Sequence, residues 1–161
     1  MGEAGAGEAS CKLDDAQLRF ACGSSRWVEL MRGEHASRAA LHDAADLAFA
    51  QLADADIHEA MSHHPRIGDL ARASKSDAQE QAGAARADDE IKTALVEGNR
   101  AYEARFGFIY LVCATGKTGA ELLAILHARL AHDPAAELAV AAEEQRKITH
   151  LRLDKLFPET R

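Results

Sequence analysis

Residues 61–69 read Met-Ser-His-His-Pro-Arg-Ile-Gly-Asp, which sets two imidazoles, a guanidinium and a carboxylate beside a proline and a glycine. Imidazole titrates near neutrality, so His63 and His64 are candidates for moving a proton, with the cationic Arg66 two residues from His64. Pro65 biases His64 away from helical backbone and puts that imidazole where a helix stops. A lone histidine ahead of a loop is structural more often than catalytic; a carboxylate that orients it changes the balance. Glu80 is such a carboxylate. Ser76-Asp77-Ala78-Gln79 has the pattern of a capping box, so Glu80 and Gln81 fall near the start of a helix. The loop before it, residues 66–75, is rich in positive charge. If it folds back, Glu80 can hold or polarise the His64 ring, as in a general acid or base.

Other chemistry fails on spacing. Thr115-Gly116-Lys117-Thr118 resembles the end of a phosphate-binding loop, but Leu111 stands where the first glycine is required and no parallel-sheet pattern precedes it. The pairs His58 with His63 and His127 with His132 are five residues apart, not the four that puts two metal ligands on one helical face, and no His-Glu-x-x-His occurs. No metal site and no nucleotide site is expected, and these histidines read as surface residues.

The elements that must position His64 and Glu80 are helices. Leu13, Ala16, Phe20 and Ala21 recur at helical spacing before Gly23, and Ser24 or Ser25 can cap a short helix carrying Trp27, Val28, Leu30 and Met31. Trp27, the single tryptophan, reads as a core anchor. Leu41, Ala44, Ala45, Ala48, Phe49 and Leu52 mark the core face of a helix over 37–52. Asp54 or Asp56 can cap a helix running through Ile57 and Met61 to the His-Pro junction. A helix opens at Ser76, and Asp88 with Asp89 marks a second segment carrying Ile91, Leu95, Tyr102 and Phe106. Residues 106–112 are strand-like in composition but lack a partner strand, so they read as a buried helix start or an extended connector across the core. Gly107 there would let backbone approach a ligand or another segment. Thr118-Gly119-Ala120-Glu121 is a capping box, and Asp133-Pro134 starts a last helix that ends near Leu156. The fold class is all-α, a single-domain bundle of about seven to nine helices. Residues 1–10 are expected as a disordered tail and residues 11–161 as the helical domain.

Composition limits the partners. The chain has 161 residues and a net charge of -7, which argues against general affinity for nucleic acid or an anionic membrane surface. No apolar run has the roughly 18 to 20 residues of a membrane span. Cys11, Cys22 and Cys113 are odd in number and lack Cys-x-x-Cys spacing, so they read as free buried thiols in a reducing, cytoplasmic compartment.

Four motifs in order, His64-Pro65-Arg66-Ile67-Gly68-Asp69, Glu80-Gln81-Ala82-Gly83, Asn99 to Tyr102 leading into Arg105-Phe106-Gly107-Phe108, and Glu143-Glu144-Gln145-Arg146-Lys147-Ile148 with Leu151-Arg152-Leu153, resemble the OHCU decarboxylase family. Those enzymes decarboxylate 2-oxo-4-hydroxy-4-carboxy-5-ureidoimidazoline to S-allantoin in urate degradation. The resemblance spans about residues 13–156. It implies an all-helical homodimer acting on a small molecule with no metal or organic cofactor. By position it implies a catalytic role for His64 with Glu80, and substrate contacts from Pro65, Ser76, Gln81 and Arg152. The segment Phe106, Gly107, Phe108 and Ile109 would lie against the substrate ring. Two departures stand out. Asp77 occupies the position where relatives have serine, so Ser76 serves after a small shift or that contact is missing. The Arg-Pro-Phe that often follows the tryptophan helix is absent near His35 and Ala36. A non-enzymatic helical interaction module would explain the periodicity but not four ordered motifs. Metal-dependent hydrolysis would require sensitivity to chelators.

Overall fold

Local capping chemistry starts the first three described helices. Asp14 and Gln17 form a reciprocal capping box, with Gln17 N–H donating to Asp14 Oδ1 at 2.8 Å and Asp14 N–H to Gln17 Oε1 at 3.0 Å. It opens α1 (Asp15–Ala21). Ser24 accepts from Trp27 N–H at the head of α2 (Ser25–Met31), and Ser37 from Ala40 N–H at the head of α3 (Arg38–Phe49). Helix α4 (Asp54–Ser62) follows, then α5 (Ala82–Phe106), α6 (Gly119–Leu130) and α7 (Pro134–Leu156). The computed structural model describes residues 9–67 and 82–159, with 82–87 as backbone only. Seven helices stand among the described residues, so the protein is mostly α as expected. A two-stranded antiparallel pair joins β1 (Cys11–Lys12) to β2 (Glu34–His35), with Cys11 opposite His35; the helical periodicity gave no sign of it.

Contacts group the chain into two units, Met1–Ala60 with Arg146–Arg161, and Met61–Gln145. The first unit is centred on Trp27, which is fully buried and donates its Nε1–H to Ala45 O at 3.2 Å. Leu18, Val28, Met31, Leu41, Ala45 and Leu153 complete its core. Cys11 and Cys22 are buried free thiols here, as Cys113 is in the second unit.

The second unit packs α6 on α5. Gly98 lets them approach, since a Cβ there would lie 2.5 Å from Leu126 Cδ2. Leu95, Tyr102, Tyr110, Val112, Leu122 and Leu126 form the core, with Ile91, Phe106 and Phe108 packed against it. One expectation is corrected in this unit, and one choice left open is decided. Asp88 and Asp89 do not open a new segment: both are exposed and α5 runs unbroken from Ala82 to Phe106. Residues 107–113 form neither strand nor helix start but the extended connector, with residues 110–113 buried. Thr118 and Glu121 make the expected capping box, and α7 ends at Leu156. Among the described residues no helix is long and apolar enough to cross a membrane.

Candidate active site

Helix α4 ends at Ser62, and His64 N–H donates to Met61 O at 3.1 Å as the chain leaves it. The extended bias imposed by Pro65 accounts for the stop. His64 is half-buried while His63 is exposed, which separates two imidazoles that the sequence left adjacent. His64 Nε2 lies 2.7 Å from Oε1 of Gln145, a side chain with no solvent exposure. Arg66 and Ile67 are tied down as well. Arg66 Nε donates to the Glu103 carboxylate of α5 at 3.0 and 3.2 Å, and Ile67 is buried in the cluster that holds Tyr102 and Tyr110. Pro65 and Arg66 are exposed.

The connector after α5 is held at several points. Gly107 has φ +80°, and a Cβ there would meet nothing within 4 Å. The glycine is therefore needed for its backbone conformation, and no described segment comes close to it. Asn99 Oδ1 accepts Tyr110 N–H at 2.9 Å, Tyr110 OH donates to Leu122 O at 2.9 Å, and Arg129 Nη1 donates to Leu111 O at 2.6 Å. Phe106, Phe108 and Tyr110 ring Tyr102 at centroid distances of 4.6 to 5.7 Å. Phe106, Phe108 and Ile109 remain partly exposed, Gly107 fully so.

Behind the connector lies a charged cluster that sequence reasoning did not find. Arg129 Nε donates to Glu137 Oε1 at 2.5 Å, Tyr102 OH donates to the same oxygen, and Arg129 Nη2 approaches the Tyr102 hydroxyl at 3.1 Å. Arg129 is 3% exposed and Glu137 0%. His132 Nδ1 lies 2.8 Å from the second Glu137 oxygen, so this histidine is not the free surface residue expected of it. Burial, with the Glu137 hydrogen bond next, pushes the Tyr102 phenol above its ordinary value; burial pushes Tyr110 up to about 12. Both phenols stay protonated at neutral pH and serve as donors, not as bases.

The first unit holds Arg152. Its Nη1 donates to Phe20 O at 2.8 Å, and its guanidinium lies 5.3 Å from the Phe20 ring centroid. Burial lowers its pKa, opposed by the nearby Cys22, whose own thiol is pushed up to about 11 mainly by burial. The same unit carries a chain of four groups. His42 Nε2 is 2.9 Å from Asp154 Oδ1, His42 and His150 face each other Nδ1 to Nδ1 at 2.5 Å, and His150 Nε2 is 2.6 Å from Asp46 Oδ1. The ring planes differ by 10°.

Of the residues singled out from sequence, His64 and Pro65 share the second unit with Phe106, Gly107, Phe108 and Ile109, and Arg152 belongs to the first. Ser76, Asp77, Glu80 and Gln81, with the Gly68 turn and most of the 66–75 loop, lie outside the described residues. Gln145, Asn99, Arg129 and Glu137 were given no role from sequence. The signal for Arg129 was its place on the apolar stripe of α6, seven and three residues after the buried Leu122 and Leu126. Among the described residues no group of three His, Cys, Asp or Glu side chains could hold a metal ion.

The OHCU decarboxylase family model matches residues 13–154. The uric acid degradation bifunctional protein TTL of Arabidopsis thaliana is 38% identical over 157 residues, covering 91% of this chain and 48% of that protein. The 2-oxo-4-hydroxy-4-carboxy-5-ureidoimidazoline decarboxylase of Amia calva is 37% identical over 79 residues, 49% of this chain and 45% of that one. The chain thus spans about half the length of these curated relatives. A crystal structure of an OHCU decarboxylase determined in the presence of (S)-allantoin superposes with a TM-score of 0.74 at 37% identity, covering 91% of this chain and 100% of that one.

Proposed function

The chain belongs to the OHCU decarboxylase family, and from that premise we propose that it is a carboxy-lyase of urate degradation, converting 2-oxo-4-hydroxy-4-carboxy-5-ureidoimidazoline to S-allantoin without a metal or organic cofactor. The observation that carries this reading is the match along the full length of a relative whose structure was determined with (S)-allantoin.

The chemistry asks little beyond placement and a proton. Breaking the bond to the carboxylate releases carbon dioxide and leaves an electron pair that the adjacent unsaturated ring can spread. The enzyme must turn the carboxylate out of the ring plane, stabilise the developing anion and return a proton to one face. His64 is the group for that proton, exchanging it with the substrate hydroxyl or the nascent carbanion. Its fixed attachment to Gln145 supports the assignment, because a base must keep its geometry through turnover. Glu80 would hold the imidazole in position. Gln81 would hydrogen-bond ureido or ring amide groups, Ser76 or Asp77 would add a polar contact, and Arg152 would pair with an anionic or carbonyl oxygen. Pro65 and the backbone of Phe106, Gly107, Phe108 and Ile109 would form the wall against the ring; the pinned connector supports that part.

We place the protein in the cytoplasm as a homodimer. Three buried free thiols suit a reducing compartment, and light scattering would reveal the subunit number. Activity is tested by adding the protein to freshly generated urate-oxidation product and following optical rotation. Formation of S-allantoin faster than in buffer is expected, and an unaltered racemising decay would refute the assignment.

A further inference from the structure

The geometry points to a proton-operated clamp within the first unit: His42 of α3 and His150 of α7 share one proton between their Nδ1 atoms, and a second proton, taken up in weak acid, parts them. None of the residues assigned to substrate takes part.

Both helices carry the same stripe. Arg38, His42 and Asp46 stand four apart on α3, and Arg146, His150 and Asp154 stand four apart on α7. Residues four apart share a helix face, so each stripe presents arginine, histidine and aspartate one turn after another. Run antiparallel, such a stripe is complementary to itself, and the two helices pair it that way. Arg38 Nη2 meets Asp154 Oδ1, His42 meets His150, and Arg146 Nη1 meets Asp46 Oδ1 at 2.9 Å. Opposite charges close the outer rungs and leave two imidazoles facing each other in the middle.

The contacts of the middle rung count its protons. The Nδ1 atoms are 2.5 Å apart, the ring centroids 4.8 Å, and the planes differ by 10°. With the planes so nearly parallel and the centroids so far apart, touching nitrogens place the rings edge to edge in one plane, as an N–H···N bond requires. At that separation two bare nitrogens repel through their lone pairs and two N–H groups through their hydrogens, so one proton lies between them. The outer nitrogens face carboxylates. His150 Nε2 is 2.6 Å from Asp46 Oδ1, and His42 Nε2 is 2.9 Å from Asp154 Oδ1, although not in line with it. An ionised carboxylate only accepts, so each Nε2 keeps its hydrogen. Arg146 Nη1, 3.2 Å from His150 Nε2, donates to the same Asp46 oxygen. The rung therefore holds three protons and one positive charge between its two carboxylates.

A fourth proton sets N–H against N–H and cation against cation, and the rung opens. Burial, with the charges of His150 and Arg38 behind it, holds the His42 pKa below 6.5 against the pull of Asp154. The unfolded chain thus takes that proton at a higher pH than the folded one. The contribution of the rung is whole above 6.5 and is lost as pH falls below it.

The shared proton is read directly in the full chain labelled with 15N-histidine. At about pH 7 one of the two Nδ1 atoms should be protonated and the other an acceptor, with a scalar coupling between them across the hydrogen bond; the coupling should vanish as His42 takes its proton in acid. The clamp is read by a urea double-mutant cycle. His42→Leu and His150→Leu should be coupled by about fivefold or more in the unfolding equilibrium constant at about pH 7, and by less at about pH 5. Two Nδ1 atoms both protonated or both bare at neutral pH overturn the proposal, and so does a coupling that is the same at the two pH values. The nitrogen spectrum of the unaltered protein decides even if a leucine variant does not fold. A shared proton in a chain without decarboxylase activity would refute the catalytic reading and leave the clamp standing.

Discussion

Removing one member of the Arg129–Glu137 pair should destabilise the protein far more than removing both. The pair is 4% and 0% exposed at its side chains, so either charge left alone would be buried without its main counter-charge. Breaking a buried pair by deleting one partner costs about 3–5 kcal/mol. At roughly 2–4 °C per kcal/mol for a chain of this size, Arg129→Met and Glu137→Leu should each lower Tm by about 6–20 °C. The double variant leaves no stranded charge. What remains is the loss of Arg129 as donor to Leu111 O and of Glu137 as acceptor for Tyr102 OH, about 1–3 kcal/mol each, set against a gain of similar size from apolar packing. The double variant should therefore be less damaged than the sum of the singles by at least about 3 kcal/mol, measured by urea unfolding followed by circular dichroism. Arg129→Met also frees the Leu111 carbonyl and loosens the connector, so KM should rise more than kcat falls. Additive effects, or single variants within about 1 kcal/mol of the parent, would refute the view that this cluster is a coupled ion pair sealed from water.

Two further outcomes follow from packing and from charge. Gly98→Ala gains about 0.5–1 kcal/mol of helix propensity but drives a methyl to 2.5 Å from Leu126 Cδ2, an overpacking cost of about 1–3 kcal/mol; net destabilisation of about 1 kcal/mol is expected, and a stabilised variant would mean that Leu126 gives way freely. Burial works against ionisation of Asp46, but hydrogen bonds from His150 and Arg146 outweigh it and hold its pKa below 3.8. A depressed carboxylate stabilises the fold above its unfolded pKa and loses that contribution as pH falls through the folded value. Asp46→Asn should thus be less stable than the parent at neutral pH, with the gap closing below pH 3.8, and a gap that persists in acid would assign the effect to shape instead of charge.

Features decided within a few residues were legible in the sequence. The Thr118–Glu121 capping box and the stop before Pro65 depend on neighbours at most a few positions away, and each stands where the pattern put it. Continuity at Asp88 and Asp89 was not legible, because an acidic pair suits a helix start and an exposed helix interior equally. Gly107 was legible as a glycine the backbone needs, but its positive φ was not, because the sequence does not show backbone dihedrals. The partner of His64 lies 81 positions along the chain, on a helix whose buried face carries Glu137, Glu144, Gln145 and Thr149, so a search for apolar stripes passes over it. The family motifs named Gln145 without giving it work to do.

The central claim is that His64 moves the proton that turns decarboxylation into formation of one enantiomer. It is tested most directly by comparing the unaltered protein with His64→Ala on freshly generated substrate, following the optical rotation of S-allantoin while far-ultraviolet circular dichroism confirms the helices. The account predicts loss of about 10²-fold or more in rate with an unchanged helical signal. A His64→Ala protein that makes S-allantoin at close to the original rate would contradict it.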